Sequence, residues 1–307
     1  MPPRLDAVIA GVNKAGTTSL FVSLSTHPDV APSAIKETRY FLPARWGQPL
    51  EPLSVFEGYF RDAGPRPVHL EASPSYVYGG RAVADAMQAH LVDPHVILVL
   101  REPVARAISF FKYQKVRLRL PEDLPIADYL AVADRLGPGD FRDPSNEKYM
   151  AFQGGCYADY LPDWLEVFGT DRLRIVWFED LVGSSEATLA SVAEFLGLDP
   201  ARLPPEALSS ENRTTGFRNA RLQRVALAAN DNLERVFRRH PAVKQRIRAW
   251  YYRLNGRSPH DVIPDDVVDA LTERYREPNR RLAALLADAE IAPPVWIERD
   301  ASAAEPA

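Results

Sequence analysis

The sequence predicts one α/β domain with a central, mainly parallel sheet flanked by helices, and three observations carry that reading. Short apolar runs alternate with segments of helical periodicity. Two of the runs, Val96–Leu100 and Leu173–Phe178, have the character of buried strands; Val96–Leu100 is apolar throughout, the pattern of a parallel strand covered on both faces. A glycine loop, Gly11-Val12-Asn13-Lys14-Ala15-Gly16, joins the first apolar run to the first helical pattern. The expected domain spans residues 1–299, with 300–307, small and polar, as a flexible C-terminal tail.

In order along the chain, Leu5–Ala10 is the first strand, and Thr17 to His27 is a helix stopped by Pro28. Val68-His69-Leu70 is a short strand and Arg81–Leu91 a helix. His95–Leu100 is a strand, turned by Arg101-Glu102-Pro103 into a helix with Pro103 in its first turn. The stretch from Pro121 to Asn146, rich in Pro, Asp and Gly, is expected to be irregular. Tyr157–Phe168 is a helix, Leu173–Phe178 a strand, and Ser184–Leu196 a helix capped by Gly197. A polar turn follows Pro205, then helical sequence, then a last amphipathic helix over Asp265–Leu286.

Composition narrows the function. With 46% apolar and 25% charged residues, the 307-residue chain is globular, which excludes wholesale disorder and a coiled coil. One cysteine, Cys156, excludes an internal disulfide and a cysteine-rich zinc site; it reads as a buried small residue or a reactive thiol. The six histidines show no ligand spacing, so no metal is expected. No run is long enough to span a membrane and no secretory signal is recognisable, so a cytoplasmic location is expected. The net charge of −4 hides a segment, Arg213 to Arg257, with twelve Lys/Arg against two acids, which leaves the remainder at −14. Interleaved with Phe237, Trp250, Tyr251 and Tyr252, this block suits an acidic glycan or anionic lipid surface, or is a solvated helical face; no nucleic-acid motif accompanies it.

Only six basic residues are lysine, so Lys14 within the glycine loop stands out. Two glycines and the N-terminus of a following helix make a phosphate cradle, although the same turn also arises in α/β folds for packing alone. A P-loop of the GxxxxGK[ST] type places lysine directly after its second glycine; here Thr17 stands there. No apolar strand ends in a metal-holding aspartate. The loop is therefore expected to serve a phosphate without a metal, which fits sulfuryl transfer, where less charge needs neutralising.

In four ordered segments the chain resembles sulfotransferases that use 3′-phosphoadenosine 5′-phosphosulfate (PAPS), nearest the heparan sulfate N- and 3-O-sulfotransferase-like domains and their bacterial relatives. GVNKAGTTSL resembles the family's 5′-phosphosulfate loop and implies Lys14 as catalytic, with Ala15, Gly16, Thr17, Thr18 and Ser19 holding the donor. Lys36-Glu37-Thr38-Arg39-Tyr40-Phe41 resembles its KExxxF segment and implies Glu37 as the base, flanked by Lys36 and Arg39 on the acceptor side. Glu71-Ala72-Ser73-Pro74-Ser75-Tyr76 resembles an acceptor-side segment, with Glu71 a rival base and Ser73 and Tyr76 near the acceptor. LVLREPVARAISFF resembles the 3′-phosphate strand–loop–helix and implies that Arg101 and Ser109 grip that phosphate; otherwise Arg101 is a helix-start ion pair with Glu102. Phe217 and Arg218 sit where relatives place a basic loop over the nucleotide. Ala72 and Arg39 depart from the lysine and histidine of the heparan sulfate enzymes. The resemblance implies a P-loop-like fold, PAPS as donor, PAP as product, no metal, and a small-molecule or glycan acceptor that offers a hydroxyl or, alternatively, an amine. The rival functions are a nucleotide-dependent phosphotransferase and an inactive module that binds PAP or anionic glycan.

Overall fold

The structure is a computed structural model that describes residues 4–137, 139–204, 216–217, 219, 221–229, 255–257 and 262–297. The strands are β1 (Leu5–Gly11), β2 (Val30–Pro32), β3 (Val68–Ala72), β4 (His95–Leu100) and β5 (Leu173–Trp177), with β6 (Gly216–Phe217) and β7 (Gly256–Arg257) farther on. The helices are α1 (Thr17–Leu24), α2 (Leu53–Gly58), α3 (Gly80–His90), α4 (Pro103–Val116), α5 (Ile126–Ala133), α6 (Leu161–Arg172), α7 (Phe178–Gly183), α8 (Ser185–Phe195) and α9 (Asp265–Asp288). Residues 221–229 are also helical. No described helix is long and apolar enough to cross a membrane.

The chain divides into two compact units. The first, Met1–Arg106, Gln153–Asn212 and Asp269–Ala307, holds a parallel sheet in the order β2-β3-β1-β4-β5. Ala7–Ala10 and Val96–Leu100 are all buried, which is why they read as apolar runs. Buried Asp6 anchors the start of β1: Arg4 donates to it at 2.8 Å, and so does the Val92 amide ahead of β4. From β1 the chain leaves towards β2, and from β4 towards β5, on opposite sides. The switch point therefore lies between the C-terminal ends of β1 and β4, where such sheets open a crevice for ligands. Gly197 (φ +66) ends α8 as expected, its amide donating to the Glu194 carbonyl at 2.9 Å. Cys156 is buried, which pushes its thiol up to about 12, so the buried-residue alternative fits. Trp164 is fully buried and donates its indole N–H to the Val77 carbonyl at 3.1 Å.

The second unit, Ala107–Phe152 and Arg213–Val268, corrects one expectation. Pro121 to Asn146 is not all irregular: α5 begins after Pro125 and buries Ile126, Tyr129, Leu130 and Ala133, an i, i+3, i+4, i+7 stripe. The surrounding Pro, Asp and Gly mask that stripe in the sequence. Tyr129 packs on Phe111 with ring centroids 5.0 Å apart and donates to the Lys148 carbonyl at 2.8 Å. The expected helix at Tyr157–Phe168, in the first unit, is a short 3-10 turn followed by α6, whose helical backbone breaks at Gly169 (φ +63). Strand β2 and helix α2 are too short for periodicity to reveal. Phe237, Trp250, Tyr251, Tyr252 and most of the basic block lie outside the described residues.

Candidate active site

The glycine loop leaves β1 and turns into α1 through Gly16, whose φ of +83 is left-handed. A side chain there would also meet the Phe178 ring at 3.0 Å, so both backbone and packing require glycine. Gly16 offers α1 no side-chain cap, and the amides of such a first turn suit an anion. Lys14 is itself left-handed (φ +73). Burial and then the charges of Arg101 and Lys36 lower its ammonium to about 8, against the opposing pull of Glu37.

Arg101 follows β4 and crosses to this loop, donating from Nη1 to the Lys14 carbonyl at 3.1 Å. Its guanidinium lies 4.4 Å from the centroid of the Phe178 ring. The buried Tyr157 hydroxyl fixes its main chain, donating to the Arg101 carbonyl at 2.6 Å. Glu102 does not serve as its side-chain partner in a helix-start pair. Its two carboxylate oxygens instead take the amides of Val104 and Ala105 at 2.7 and 2.6 Å and cap α4.

The acceptor-side segments meet at the end of β3. Glu37 (φ +64) and Arg39 (φ +57) are both left-handed, a costly arrangement for non-glycine residues that persists only when it is held from outside. The holding is visible. The Glu37 amide donates to the Ala72 carbonyl at 2.8 Å, the Thr38 amide to Glu71 Oε1 at 3.1 Å, and the Arg39 amide to Ser73 Oγ at 3.0 Å. Thr38 Oγ1 and Ser73 Oγ also donate to Glu71 Oε1, at 3.0 and 2.6 Å. The buried Tyr76 hydroxyl accepts from the Phe41 amide at 3.2 Å. Glu71 is 1% exposed, and burial raises its carboxyl to about 7 against those hydrogen bonds. The Glu37 side chain is 34% exposed and ion-paired to Lys36 at 3.1 Å and Arg39 at 3.4 Å. Burial alone would push Glu37 up, but those two cations outweigh it and hold the carboxyl below its ordinary value. Glu37, half-buried and held ionised between two cations, is able to take a proton, whereas Glu71 accepts from Thr38 and Ser73 on Oε1 and keeps a buried Oε2 without a hydrogen-bond partner.

Against this geometry, a sulfotransferase-domain profile matches residues 4–257. The chain belongs to the sulfotransferase family. Human heparan sulfate glucosamine 3-O-sulfotransferase 6 is 29% identical over 283 residues, covering 90% of this chain and 70% of that protein. Human heparan sulfate glucosamine 3-O-sulfotransferase 3B1 is 32% identical over 216 residues, 69% of this chain, and the chain spans only 50% of that relative's length. Among solved structures, a sulfotransferase from Alicyclobacillus acidocaldarius shares the fold, with a TM-score of 0.57 at 22% identity over 77% of this chain and 95% of that one.

In this sulfotransferase the structure brings Lys14, Lys36, Glu37 and Arg101 into one electrostatic neighbourhood, with Ala15, Gly16, Thr17, Thr18 and Ser19 forming the turn below. Ser73 and Tyr76, expected near the acceptor, are buried and tie down the Glu37 loop. Ser109 is half-buried on α4, in the second unit. Phe217 lies in the β6–β7 ribbon, and Arg218 lies outside the described residues. Sequence reasoning missed Phe178, Tyr157 and Arg106. Arg106, five residues after Arg101 in the same motif, is fully buried and donates to the Asn13 carbonyl at 3.4 Å. His69, whose ring stacks on Phe60 with centroids 4.6 Å apart, has a packing role.

Proposed function

We propose that this sulfotransferase moves the sulfuryl group of PAPS onto a hydroxyl of a carbohydrate, glycolipid or secondary-metabolite acceptor and releases PAP. The residues present fit such a donor: a left-handed Gly16 with no side chain across the turn, a cationic Lys14, and a guanidinium on the adjoining strand end. In the in-line displacement, the acceptor oxygen bonds to sulfur as the bond from sulfur to the 5′-phosphate oxygen breaks. Glu37 takes the acceptor proton, and Lys14 offsets the charge that develops on the departing phosphate. Arg101 serves the 3′-phosphate, for which a planar guanidinium is suited. A carbohydrate hydroxyl is supported by relatives whose names specify 3-O-sulfation of heparan sulfate glucosamine.

The single observation carrying this reading is that a half-buried, ionised Glu37 pulls electrostatically on a half-buried Lys14, the two lying on loops at the ends of β3 and β1. A base and a leaving-group acid that act together on one reacting atom need such a pair, which supports the reading. The test is incubation with radiolabelled PAPS and a panel of heparan oligosaccharides, simple glycosides, glycolipids and phenolic metabolites, followed by mass identification of the product. Labelled product with stoichiometric PAP is the expected outcome. Magnesium-dependent transfer from ATP, with no use of PAPS, would replace this reading with a phosphotransferase.

A further inference from the structure

The family match ends at residue 257, and α9 lies beyond it. Tyr275, on the inner face of α9, is 1% exposed, and its hydroxyl oxygen accepts a hydrogen bond from the Arg106 side chain. The ring packs so closely on Gly155 that a Cβ there would come within 2.7 Å of the phenolic oxygen. Arg106 is 0% exposed and equally confined: a Cβ on Gly154 would lie 2.9 Å from its Nη2. From that slot Nη1 donates to the Asn13 carbonyl at 3.4 Å and to the Tyr78 hydroxyl at 3.5 Å. Arg281, six residues after Tyr275, pins α9 to Asp159 at 2.7 Å. All of these residues, Arg106 included, lie in the first unit.

A guanidinium is a rigid planar fork, so holding one edge orients the other. Its hold on the Asn13 carbonyl matters because the next residue is Lys14, in a left-handed conformation that relaxes unless its surroundings fix it. We propose that Tyr275 is a positioning residue for the donor loop, acting through Arg106 on the Asn13 carbonyl and so on Lys14. This rests on the donor-site reading above. It adds that a helix outside the family match completes the site.

The test is Tyr275→Phe, which keeps the ring against Gly155 and removes the oxygen. Hydrogen exchange of the amides in residues 11–19, measured without ligand, should quicken by about tenfold, the loss of one hydrogen bond to a charged group. Exchange in β4 should stay unchanged. PAP affinity by calorimetry should fall about three- to tenfold, with the acceptor KM unaltered. In an Arg106→Met background, which replaces the buried charge by an apolar chain of similar reach, Tyr275→Phe should add nothing further. Unchanged loop exchange overturns the proposal, as does exchange raised equally through the strands, the mark of a merely structural tyrosine. An undiminished effect in the Arg106→Met background does the same. A wild-type protein without affinity for PAP would sink the donor reading instead, and loop exchange would still decide this inference.

Discussion

The Arg101 guanidinium donates to the main-chain carbonyl of Lys14 at 3.1 Å, so the proposed 3′-phosphate grip and the proposed leaving-group acid are joined directly. The link has an electrostatic side. After burial, the Arg101 charge contributes most to lowering Lys14 to about 8. Lys14 must be protonated to offset charge on the leaving phosphate. Activity is therefore full below about 8 and declines as pH rises through it. In a plot of kcat/KM for PAPS, which reports the free enzyme, the alkaline limb should fall near 8. Arg101→Ala should move that limb upward, because a neighbouring positive charge is gone. A limb unmoved by that substitution would assign it to another group.

Lys14→Ala should lose turnover far more than it loses nucleotide. Removing one donor aimed at developing charge costs about 100- to 1000-fold in kcat. PAP binding should weaken much less, since the loop amides and Arg101 remain. Turnover within threefold of wild type would take Lys14 out of the mechanism.

Arg101→Ala separates two nucleotides. Wild-type protein should prefer PAP over adenosine 5′-phosphate in calorimetry, and the preference should shrink in the variant as the planar fork is lost. Phe178→Leu should shrink it in part, because the aromatic face that holds the guanidinium at 4.4 Å is removed while the loop packing is kept. Equal wild-type affinity for both nucleotides would contradict the PAPS assignment.

The parts of this site that the sequence reveals are those whose chemistry is local. Strand β1, the glycine loop and α1 are contiguous, and Gly16 is needed for its own backbone angle. The same holds for β4, Arg101 and the Pro103 helix start. Arg106, Phe178 and Tyr275 are invisible because each acquires its role from a segment far away in the chain: the Asn13 carbonyl, the Gly16 turn, and Arg106 itself. Glu71 shows the limit most clearly. Its motif marks it as a second candidate base, but only the fold reveals that Oε1 is enclosed by Thr38 and Ser73. Helix α5 fails for a different reason, since its apolar stripe is only eight residues long and sits among helix breakers.

Burial of Glu71 also has a stability signature. Its carboxyl is raised from an ordinary 4.5 to about 7 in the fold, so between those values the native state binds a proton that the unfolded chain releases. Stability should accordingly fall as pH rises from about 4.5 to 7 and level off above. Glu71→Gln keeps an acceptor for Thr38 and Ser73 but does not titrate. Denaturant unfolding at pH 5 and pH 8 should show the variant gaining on wild type by on the order of 1–3 kcal/mol at the higher pH. A gap independent of pH would show that Glu71 carries its charge in the fold at both.

Glu37 and Glu71 are then distinguished by what their amides do to catalysis. Glu37→Gln retains shape and can still meet Lys36 and Arg39 but cannot accept the acceptor's proton. Turnover should fall about 100- to 10,000-fold, the usual contribution of a general base, with PAP affinity little changed because the carboxylate serves the acceptor side. Glu71→Gln should be milder, since its amide oxygen can still brace the left-handed turn at Glu37 and Arg39 from within the core. Its effect should appear as poorer positioning, with the acidic limb of the pH profile retained; Glu37→Gln should abolish that limb, which lies below the ordinary carboxylate range because Lys36 and Arg39 outweigh burial at Glu37. A folded but inactive Glu71→Gln beside a mildly impaired Glu37→Gln would reverse the assignment. It would also require Glu71 to leave the enclosure that Thr38 and Ser73 now make around it.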